Sequence, residues 1–465
     1  MQKKKQAQKP AAETKAEPTS ALTRMRRHAE NIFQSAIDSV NAQNCVEKHL
    51  ERTGNRFKAG NIEFDLSGFE NIHVIGAGKA TAPMAAAVES LLSDRITSGI
   101  ITVKYSHTAP LKIIRTIEAG HPVPDENGMK GAGLIMETTK AARENDLIIC
   151  LLSGGGSALM PLPAPGLTLA EKQETIKHLL ACGADITEIN AIRKHLSAIK
   201  GGQLARAAAP AAMITLIVSD VVGDSLDVIA SGPTVEDTST FAGCLETIKK
   251  YRLADKMPDA VMKRLKRGAA LQADETPKSG ELNRNKLFHL IVASNFKALC
   301  SAAGQAENLG YKTLILSSLI GGDTTEAAGF HAAVAKQIAD TGHPVASPAC
   351  IISGGETTVK IQGNGLGGRN QEFCLAAAPQ IQDHKNIVIL CAGTDGTDGP
   401  TDAAGAVVDS ATISRAASLG LDAADFLRKN DSYNFFKQTG ELLVTGPTGT
   451  NVMDVRIMLI DKPPL

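Results

Sequence analysis

Residues 146–157, DLIICLLSGGGS, join a nearly continuous aliphatic run to three glycines flanked by serines. Uninterrupted aliphatic strands are typical of parallel sheets that helices cover on both faces. Four other segments repeat this design, in which an apolar run ends in a glycine- or aspartate-rich turn. They are residues 72–79, 216–224, 351–357 and 387–398. Because ligands bind at the carboxyl ends of parallel strands, the five turns predict one polar, ligand-binding rim in an α/β fold.

The composition is that of a globular protein without a strong net charge. The chain has 465 residues, 43% of them hydrophobic, and its 49 lysines and arginines balance 49 aspartates and glutamates. No apolar run approaches the roughly 18 residues that a transmembrane helix needs. The 8 cysteines are scattered without a CxxC pair, which is typical of free thiols in a reducing compartment. We therefore expect a cytoplasmic protein whose partners are small molecules, with neither nucleic acid nor membrane among them.

Helical and strand patterns alternate along the chain, which predicts two α/β domains. Residues 1–20 predict a disordered tail, residues 21–280 a domain built on a parallel sheet, and residues 281–465 a second α/β domain. The boundary is placed near residue 280 because residues 252–286 lose apolar content and gain proline, glycine and charge. The glycine- and threonine-rich centre of residues 441–460 predicts a hairpin between two late strands.

The segment GAGKA (76–80) lies between a predicted strand and a predicted helix, where small residues let a backbone approach a ligand. It resembles a dinucleotide-binding motif, but Thr81 stands in place of the third glycine and no acidic residue ends the next strand. It also resembles a Walker loop, but Ala80 replaces the residue that binds Mg²⁺. Lys79 is a candidate contact for an anionic substrate, and a solvated lysine is the alternative interpretation.

Two similar turns, SGGGS (153–157) and SGGET (353–357), follow apolar strands in the two halves of the chain. Consecutive glycines allow the backbone N–H groups to form a concave nest that binds phosphate or carboxylate. Chance similarity of two glycine turns is the alternative to a shared role. The first turn does not match the G-x-S-x-G elbow of serine hydrolases, so the pattern does not favour acyl transfer.

Short carboxylates stand beside the glycine turns at strand ends, in SDVVGD (219–224) and in GTDGTDG (393–399). Mg²⁺ is held by one or two carboxylates together with substrate phosphates, so Asp220 and Asp224 are candidate metal ligands. Asx turns are the structural alternative for each of them. The second segment lacks the closing glutamate of a calcium loop, and the histidines lack the spacing of a zinc site.

The segment GGRNQE (367–372) precedes a helical pattern, so Arg369 is predicted at the entrance of a helix. Arginine binds phosphate and carboxylate groups through two parallel hydrogen bonds. An ordinary ion pair between domains is the alternative role.

Taken together, eight segments resemble the class II glycerate kinases, whose C-terminal part is known as the MOFRL domain. They are GAGKA (76–80), GHPVPD (120–125), LLSGGGSALM (151–160), NAIRKHLSAIKGGQLA (190–205), SDVVGDSLDVIASGPT (219–234), SGGETTV (353–359), GGRNQE (367–372) and AGTDGTDGPTDAAGA (392–406). The resemblance covers nearly the whole chain.

The resemblance implies a Rossmann-like N-terminal domain and a smaller α/β MOFRL domain, with the active site in the cleft between them. It also implies phosphorylation of D-glycerate by ATP with Mg²⁺, most often giving 2-phosphoglycerate, and it associates Lys79 and Arg369 with catalysis. We expect these two side chains to approach the transferring phosphoryl group from different domains. The predicted substrate- and nucleotide-binding residues are Gly76, Gly78, Ser153, Gly154, Gly155, Gly156, Ser157, Asn295, Gly354, Gly355, Glu356 and Asp395.

Two other functions are compatible with the sequence. Similar chains have been named hydroxypyruvate reductases, which would require NAD(P)H, although the incomplete dinucleotide motif disfavours that class. A regulator that binds a nucleotide without turnover is the non-enzymatic alternative. The sequence also leaves the 2- and 3-hydroxyl groups of glycerate as alternative acceptors, and we regard a homodimer as a candidate assembly.

Overall fold

The computed structural model describes residues 20–462, and within that range the strands form two sheets of six strands and one of three. In chain order the strands are β1 (Leu50–Thr53), β2 (Arg56–Ala59), β3 (Ile62–Asp65), β4 (Asn71–Ala77), β5 (Ile96–Lys104), β6 (Ile114–Ala119), β7 (Asp146–Leu152), β8 (Ala212–Val218), β9 (Leu287–Ala293), β10 (Lys312–Ile320), β11 (Ala349–Gly355), β12 (Ile387–Gly393), β13 (Gly405–Asp409), β14 (Leu442–Leu443) and β15 (Asp454–Ile460).

The helices lie between the strands along most of this range. They are α1 (Ala21–Ser39), α2 (Ala42–His49), α3 (Thr81–Leu92), α4 (Glu126–Ala141), α5 (Gly156–Leu159), α6 (Leu169–Ala181), α7 (Ile186–His195), α8 (Gln203–Ala208), α9 (Phe241–Lys250), α10 (Asp259–Ala269), α11 (Asn295–Asn308), α12 (Thr324–Thr341), α13 (Arg369–Ile381), α14 (Thr412–Ser418), α15 (Ala423–Arg428) and α16 (Ser432–Thr439). None of the helices in residues 20–462 is both long enough and apolar enough to cross a membrane.

The first sheet has the strand order β6-β5-β4-β7-β8-β9, and every neighbouring pair is parallel. This is the strand order of a Rossmann-type sheet. Strands β5 and β6 are added on one side of β4, and strands β7, β8 and β9 are added on the other side. Every residue of β7 and of β8 is buried, as expected for aliphatic strands covered on both faces. The predicted parallel sheet, with glycine turns at its carboxyl edge, is confirmed.

The second sheet is mixed and has the order β10-β11-β15-β12-β13-β14. Only β10 and β11 are parallel, and the other neighbours run antiparallel. The hairpin predicted within residues 441–460 is wrong, because β14 is a two-residue edge strand while β15 lies between β11 and β12. All seven residues of β15 are buried, which suits a central strand and not one arm of an exposed hairpin.

Two elements cross the division that we predicted at residue 280. Strand β9 follows that point in the chain, yet it pairs with β8 as the last strand of the first sheet. Helix α1 precedes residue 280, yet α1 packs on α11, β12 and β15, next to the second sheet. The boundary at residue 280 stays a prediction, and sheet membership divides the chain after Ala293. Of the predicted tail, residues 1–19 lie outside the described range, and Ser20 caps α1 by accepting the Thr23 N–H.

Candidate functional site

The two glycine turns of the first sheet interlock at its carboxyl edge. The backbone N–H of Lys79 donates to the carbonyl oxygen of Gly154 over 2.8 Å. The hydroxyl of Ser153 accepts the N–H of Ala80 at 3.0 Å and pairs with the hydroxyl of Thr81 at 3.0 Å. Ser153 is 1% exposed, so its side chain joins the turn after β4 to the turn after β7.

The glycines of these turns allow the turns to approach each other closely. A Cβ atom on Gly76 would lie 2.3 Å from a carbonyl oxygen of β7, and one on Gly78 would lie 2.0 Å from the hydroxyl of Ser153. A Cβ atom on Gly154 would lie 2.3 Å from a carboxylate oxygen of Asp220. The small residues that suggested contact with a ligand therefore also bring three turns of the sheet together.

Two further residues of the second turn, Gly156 and Ser157, have different surroundings. Gly156 starts α5, and a Cβ atom there would lie 2.9 Å from the carbonyl oxygen of Ala77. The hydroxyl of Ser157 pairs with the Ser231 hydroxyl at 2.9 Å and accepts a hydrogen bond from Nζ of Lys200 at 3.1 Å. Ser157 therefore links the turn to a buried lysine that the sequence analysis did not select.

Lys79 connects the edges of the two large sheets. Its Nζ atom lies 3.9 Å from Oδ2 of Asp395, which stands in the turn after β12 of the second sheet. The side chains are 23% and 28% exposed, so the pair is partly open to solvent where the edges of the two sheets face each other, a region that we call the cleft. The turns after β4 and β12, far apart in the chain, thus meet across this cleft.

Arg369 begins α13 and is held from two sides. Its Nε and Nη2 atoms donate to the two carboxylate oxygens of Asp454 at 2.7 and 2.9 Å, and Nη1 forms a salt bridge with Oε1 of Glu356 at 2.9 Å. The Asp454 side chain is fully buried, whereas Arg369 is 32% exposed. Asp454 therefore orients the guanidinium group while leaving part of it open to the cleft.

The cleft carboxylates and cations act on one another electrostatically. Burial raises the pKa of Asp220 to about 6, Lys79 opposes this shift, and Glu356 and Asp395 add to it. Partial burial raises the pKa of Glu356, Arg369 and Lys79 lower it, and the neighbouring carboxylates raise it further. Five predicted residues from both sheets are therefore close enough to interact electrostatically. They are Lys79, Asp220, Glu356, Arg369 and Asp395.

Asn295 fastens the first sheet to the second. It follows β9 and begins α11, and its Nδ2 atom donates to the carbonyl oxygens of Val452 and Asp454 at 2.8 and 2.9 Å. Its Oδ1 atom is buried without a hydrogen-bond partner in the described part of the chain. A Cβ atom on Gly354 would lie 1.8 Å from this oxygen, and Gly355 has a φ of +115° beside the backbone of Ile320.

The second predicted metal ligand, Asp224, has a buried Oδ1 atom without a hydrogen-bond partner in the described part of the chain. Its charge acts on Lys297, whose Nζ atom donates to the carbonyl oxygens of Ile291 and Val292 at 2.7 and 3.1 Å. Asp220, in contrast, lies against Gly154 in the cleft. Within residues 20–462, no group of three or more His, Cys, Asp or Glu side chains is arranged to hold a metal ion by protein ligands alone.

Asp398 is a site-forming residue whose role the sequence analysis left open. It is 2% exposed and accepts the backbone N–H groups of Asn370 and Gln371, at 3.1 and 2.8 Å, in the first turn of α13. Burial raises its pKa to about 7. Asn370 also donates from Nδ2 to Asp454 at 3.0 Å. This network fixes the start of the helix that carries Arg369.

A group of cations beside the first-sheet turns was missed by the sequence analysis. Lys172, Arg193 and Lys200 line a cavity of about 700 Å³ that also contacts Gly155 and His121. Burial and the nearby charge of Lys79 lower the pKa of His121 to about 4. The only sequence signal was the segment NAIRKHLSAIKGGQLA (190–205), which entered the resemblance without a role for its basic residues.

The fold and the cleft define a two-domain α/β enzyme of the phosphotransferase type. A family model described as a domain of unknown function (DUF4147) matches residues 28–266, and the MOFRL family model matches residues 349–454. The chain is 42% identical over 438 residues to the D-glycerate 2-kinase of Thermotoga maritima, covering 94% of this chain and 98% of that protein. It is 44% identical over 438 residues to a putative hydroxypyruvate reductase of Agrobacterium vitis, covering 94% of each.

The crystal structure of the Thermotoga maritima glycerate kinase has the same fold. It superposes with a TM-score of 0.83 at 38% identity, covering 94% of this chain and 99% of that structure. This chain therefore belongs to the glycerate kinase family with a C-terminal MOFRL domain, and it is a kinase. The predicted family, and with it the two-domain architecture, are confirmed.

Proposed function

We propose that the protein transfers the γ-phosphoryl group of ATP to D-glycerate in the presence of Mg²⁺, giving 2-phosphoglycerate and ADP. The observation that carries this proposal is the meeting of Lys79, from the first sheet, with Asp395, from the second, in the cleft that Arg369 also faces. Phosphoryl transfer depends on positioning and on charge neutralisation more than on covalent catalysis. A cleft lined by cations from two domains suits that requirement. The name of the Thermotoga maritima relative supports the choice of substrate.

In this proposal Lys79 and Arg369 stabilise the charge of the transferring group from opposite sides. The nitrogen atoms of Arg369 have different partners. Asp454 accepts hydrogen bonds from Nε and Nη2, whereas Nη1 lies against the exposed carboxylate of Glu356. A phosphoryl oxygen can replace Glu356 at Nη1 without releasing Asp454. Arg369 would thus keep its orientation throughout turnover.

The acceptor hydroxyl of D-glycerate forms the new O–P bond as the bond from the γ-phosphorus to the bridging oxygen of ADP breaks. The hydroxyl proton passes to a carboxylate of the cleft. Asp220 is our candidate, because it lies beside Lys79 and because burial brings its pKa to about 6, which is close to neutrality. Asp395 is the candidate for orienting the hydroxyl, given its contact with Lys79.

The carboxylates of the cleft fit Mg²⁺. Glu356 and Asp395 offer the hard oxygen ligands that this ion prefers, and Asp220 offers another as the alternative to its role as proton acceptor. Four carboxylates including Asp454 outnumber the three cations Lys79, Arg369 and Arg456. Because the described protein groups do not form a complete metal site, phosphate oxygens of ATP would complete the coordination shell. When bound, Mg²⁺ supplies positive charge that offsets the phosphates and carboxylates. The role predicted for Asp224 stays a prediction, and its place beside Lys297 makes it the weaker candidate.

A reductase is the second candidate, since one close relative is named a putative hydroxypyruvate reductase. The turn after β4 disfavours it, because Thr81 occupies the third glycine position of the dinucleotide motif and β5 ends at Lys104 without an acidic residue.

The test is a pair of assays on the purified full chain. One assay follows ADP release from ATP, Mg²⁺ and D-glycerate and identifies the product by phosphorus NMR. The other follows NADH and NADPH oxidation with hydroxypyruvate. We expect ADP release and 2-phosphoglycerate. Oxidation of the reduced cofactor without ADP release would establish the reductase, and ATP binding without either reaction would establish a regulator.

The cellular setting forms part of the same proposal. All 8 cysteines are free and 6 of them are buried, which is compatible with the reducing cytoplasm that we propose as the location. A homodimer is our proposed assembly, and sedimentation of the purified protein would test it.

A further inference from the structure

A cavity of about 700 Å³ opens beside the turn after β7, between that turn and helices α6 and α7. Its walls include apolar side chains of α6, namely Leu169, Ile176 and Leu180, together with Val123. Leu180 and Val123 are 60% and 66% exposed. Large apolar side chains left open at the rim of a cavity are typical of a ligand site.

The polar side of the cavity is cationic and lacks counter-ions. Nζ of Lys172 donates to the carbonyl oxygens of Pro161 and Leu162 at 3.0 and 3.3 Å, and Nζ of Lys200 donates to the carbonyl oxygen of Ser157 at 2.6 Å. Lys172 and Lys200 are only 7% and 2% exposed, and no carboxylate stands among the described residues that line the cavity.

Arg193 and the exposed Lys177 complete this cationic side. The Nη1 atom of Arg193 donates to the amide oxygen of Asn190 at 3.3 Å, again a neutral partner. Burial, followed by the charges of Arg193 and Arg264, lowers the pKa of Lys172 to about 7. Burial, followed by Lys172 and Arg193, lowers the pKa of Lys200 well below its usual range. A buried group of cations that repel one another is costly, and an anionic ligand would offset that cost.

The cavity reaches Gly155, which packs against the stem of Lys79. A Cβ atom on Gly155 would lie 2.8 Å from the His121 ring, which lines the cavity, and 3.4 Å from Cγ of Lys79, which faces the cleft. The cavity therefore ends next to the lysine that we assign to the transferring phosphoryl group. The φ of +81° and the His121 ring leave no room for a side chain at this glycine.

We propose that this cavity binds the nucleotide, with its phosphates on Lys172, Arg193 and Lys200 and its base against the apolar wall of α6. The inference rests on the proposed function, because it names the subsite of one substrate of that reaction. A nucleoside triphosphate carries several negative charges and a planar aromatic base, which matches the cationic side, the apolar wall and the volume of this cavity. D-glycerate carries one charge on three carbon atoms and would leave most of the cavity empty.

The test removes one cation without changing the volume of its side chain much. In Arg193→Met, we expect the dissociation constant of ADP, measured by calorimetry without metal, to rise about tenfold to hundredfold, as for a lost hydrogen bond to a charged group. Adenosine has no phosphate and loses no such hydrogen bond, so its affinity should change less than about twofold. In turnover, the KM for ATP should rise while the KM for D-glycerate stays the same.

The exposed lysine of α9, Lys249, provides the matched control as Lys249→Met. Its ADP affinity should equal that of the wild type. Because Arg193 pairs with no carboxylate within residues 20–462, its replacement should leave the melting temperature unchanged or raised, whereas replacement of a purely structural residue would lower it.

Wild-type protein gives a second measurement that needs no variant. Anion binding should protonate Lys172, so ADP binding at pH 8 should take up protons from the buffer. The heats measured in buffers of different ionisation enthalpy report this uptake.

Three results would overturn the proposal: unchanged ADP affinity in Arg193→Met, a rise in KM for D-glycerate alone, or ADP binding without proton uptake. The second result would assign the cavity to the carboxylate of glycerate. Since ADP binding requires no turnover, a protein that binds ADP here but does not phosphorylate D-glycerate would refute the proposed function and leave this site standing.

Discussion

The two sides of the cleft differ in the groups that form their surfaces. On the first sheet, glycine turns pack so closely that backbone groups and a few cations, such as Lys79 and Lys200, form the surface. On the second sheet, an ion-pair network of Arg369, Asp454 and Glu356 forms the surface, and it is anchored in a buried strand. The comparison teaches that the parallel sheet provides room for anions, whereas the mixed sheet provides charges held in fixed positions.

The largest effect should come from the cation of the first sheet. Lys79→Ala should lower turnover by about 10²–10⁴-fold if the amine meets charge in the transition state. Because the ion pair of Lys79 with Asp395 is long and open to solvent, its loss should leave stability nearly unchanged. Single-turnover kinetics and thermal melting check both parts, with Lys249→Ala as control. Undiminished turnover would remove Lys79 from the mechanism.

Arg369→Ala should lower turnover by a similar factor, about 10²–10⁴-fold. Unlike the change at Lys79, it should also destabilise the protein, by about 2 kcal/mol, because the buried carboxylate of Asp454 loses the hydrogen bonds from Nε and Nη2 of Arg369 and its remaining contact with a cation, Arg456 at 3.5 Å, is longer. Urea unfolding measures the difference. The double variant with Asp454→Asn should regain part of the stability but none of the turnover. If both single variants were equally stable, the contrast between the two sides would fail.

Asp220 follows β8 of the first sheet and interacts electrostatically with Glu356 and Asp395 of the second sheet. The variant Asp220→Asn tests this interaction. We expect turnover to fall by about 10²-fold, as for loss of a proton acceptor. Burial disfavours the ionised form of Asp220, so the neutral amide should raise the melting temperature at pH 8. Melting scans and steady-state kinetics give the two readouts. A variant that melts lower than the wild type would indicate that Asp220 stabilises the fold, contrary to this account.

The smallest effect concerns the pH dependence of stability. The pKa of Lys172 is about 7 in the folded protein and about 10.4 in an unfolded chain. Between these values the unfolded state binds more protons, so Lys172 makes the free energy of unfolding rise with pH, by at most about 1.4 kcal/mol per pH unit. Urea unfolding at pH 7 and pH 9 should show a smaller rise in Lys172→Met. An equal rise in both proteins would mean that Lys172 is not buried as a neutral amine.

The features that the sequence predicted well are local ones. A run of buried aliphatic residues followed by a glycine turn identifies a parallel strand and its functional end, and the turns after β4, β7, β8, β11 and β12 were all found in this way. The structure also brings together Lys79, Asp220, Glu356, Arg369 and Asp395, although their individual roles stay predictions.

The features that were missed depend on contacts between distant parts of the chain. The central place of β15 follows from pairing with β11 and β12, which no local pattern reveals. Lys172 lies in a helix with the charge pattern of a solvated surface, and only the tertiary packing of α6 buries it. The three-stranded sheet of β1, β2 and β3 lies in short, mixed segments that carry little periodic signal.

The central claim is that cations from the two sides of the cleft meet around one phosphoryl group. The most direct measurement is a crystal structure of the protein with ADP, Mg²⁺, D-glycerate and aluminium fluoride, which mimics the transferring group. We predict that Nζ of Lys79 and Nη1 of Arg369 both lie about 3 Å from the fluoride, within hydrogen-bond distance. A complex in which either cation stays on its carboxylate partner, away from the fluoride, would contradict the claim.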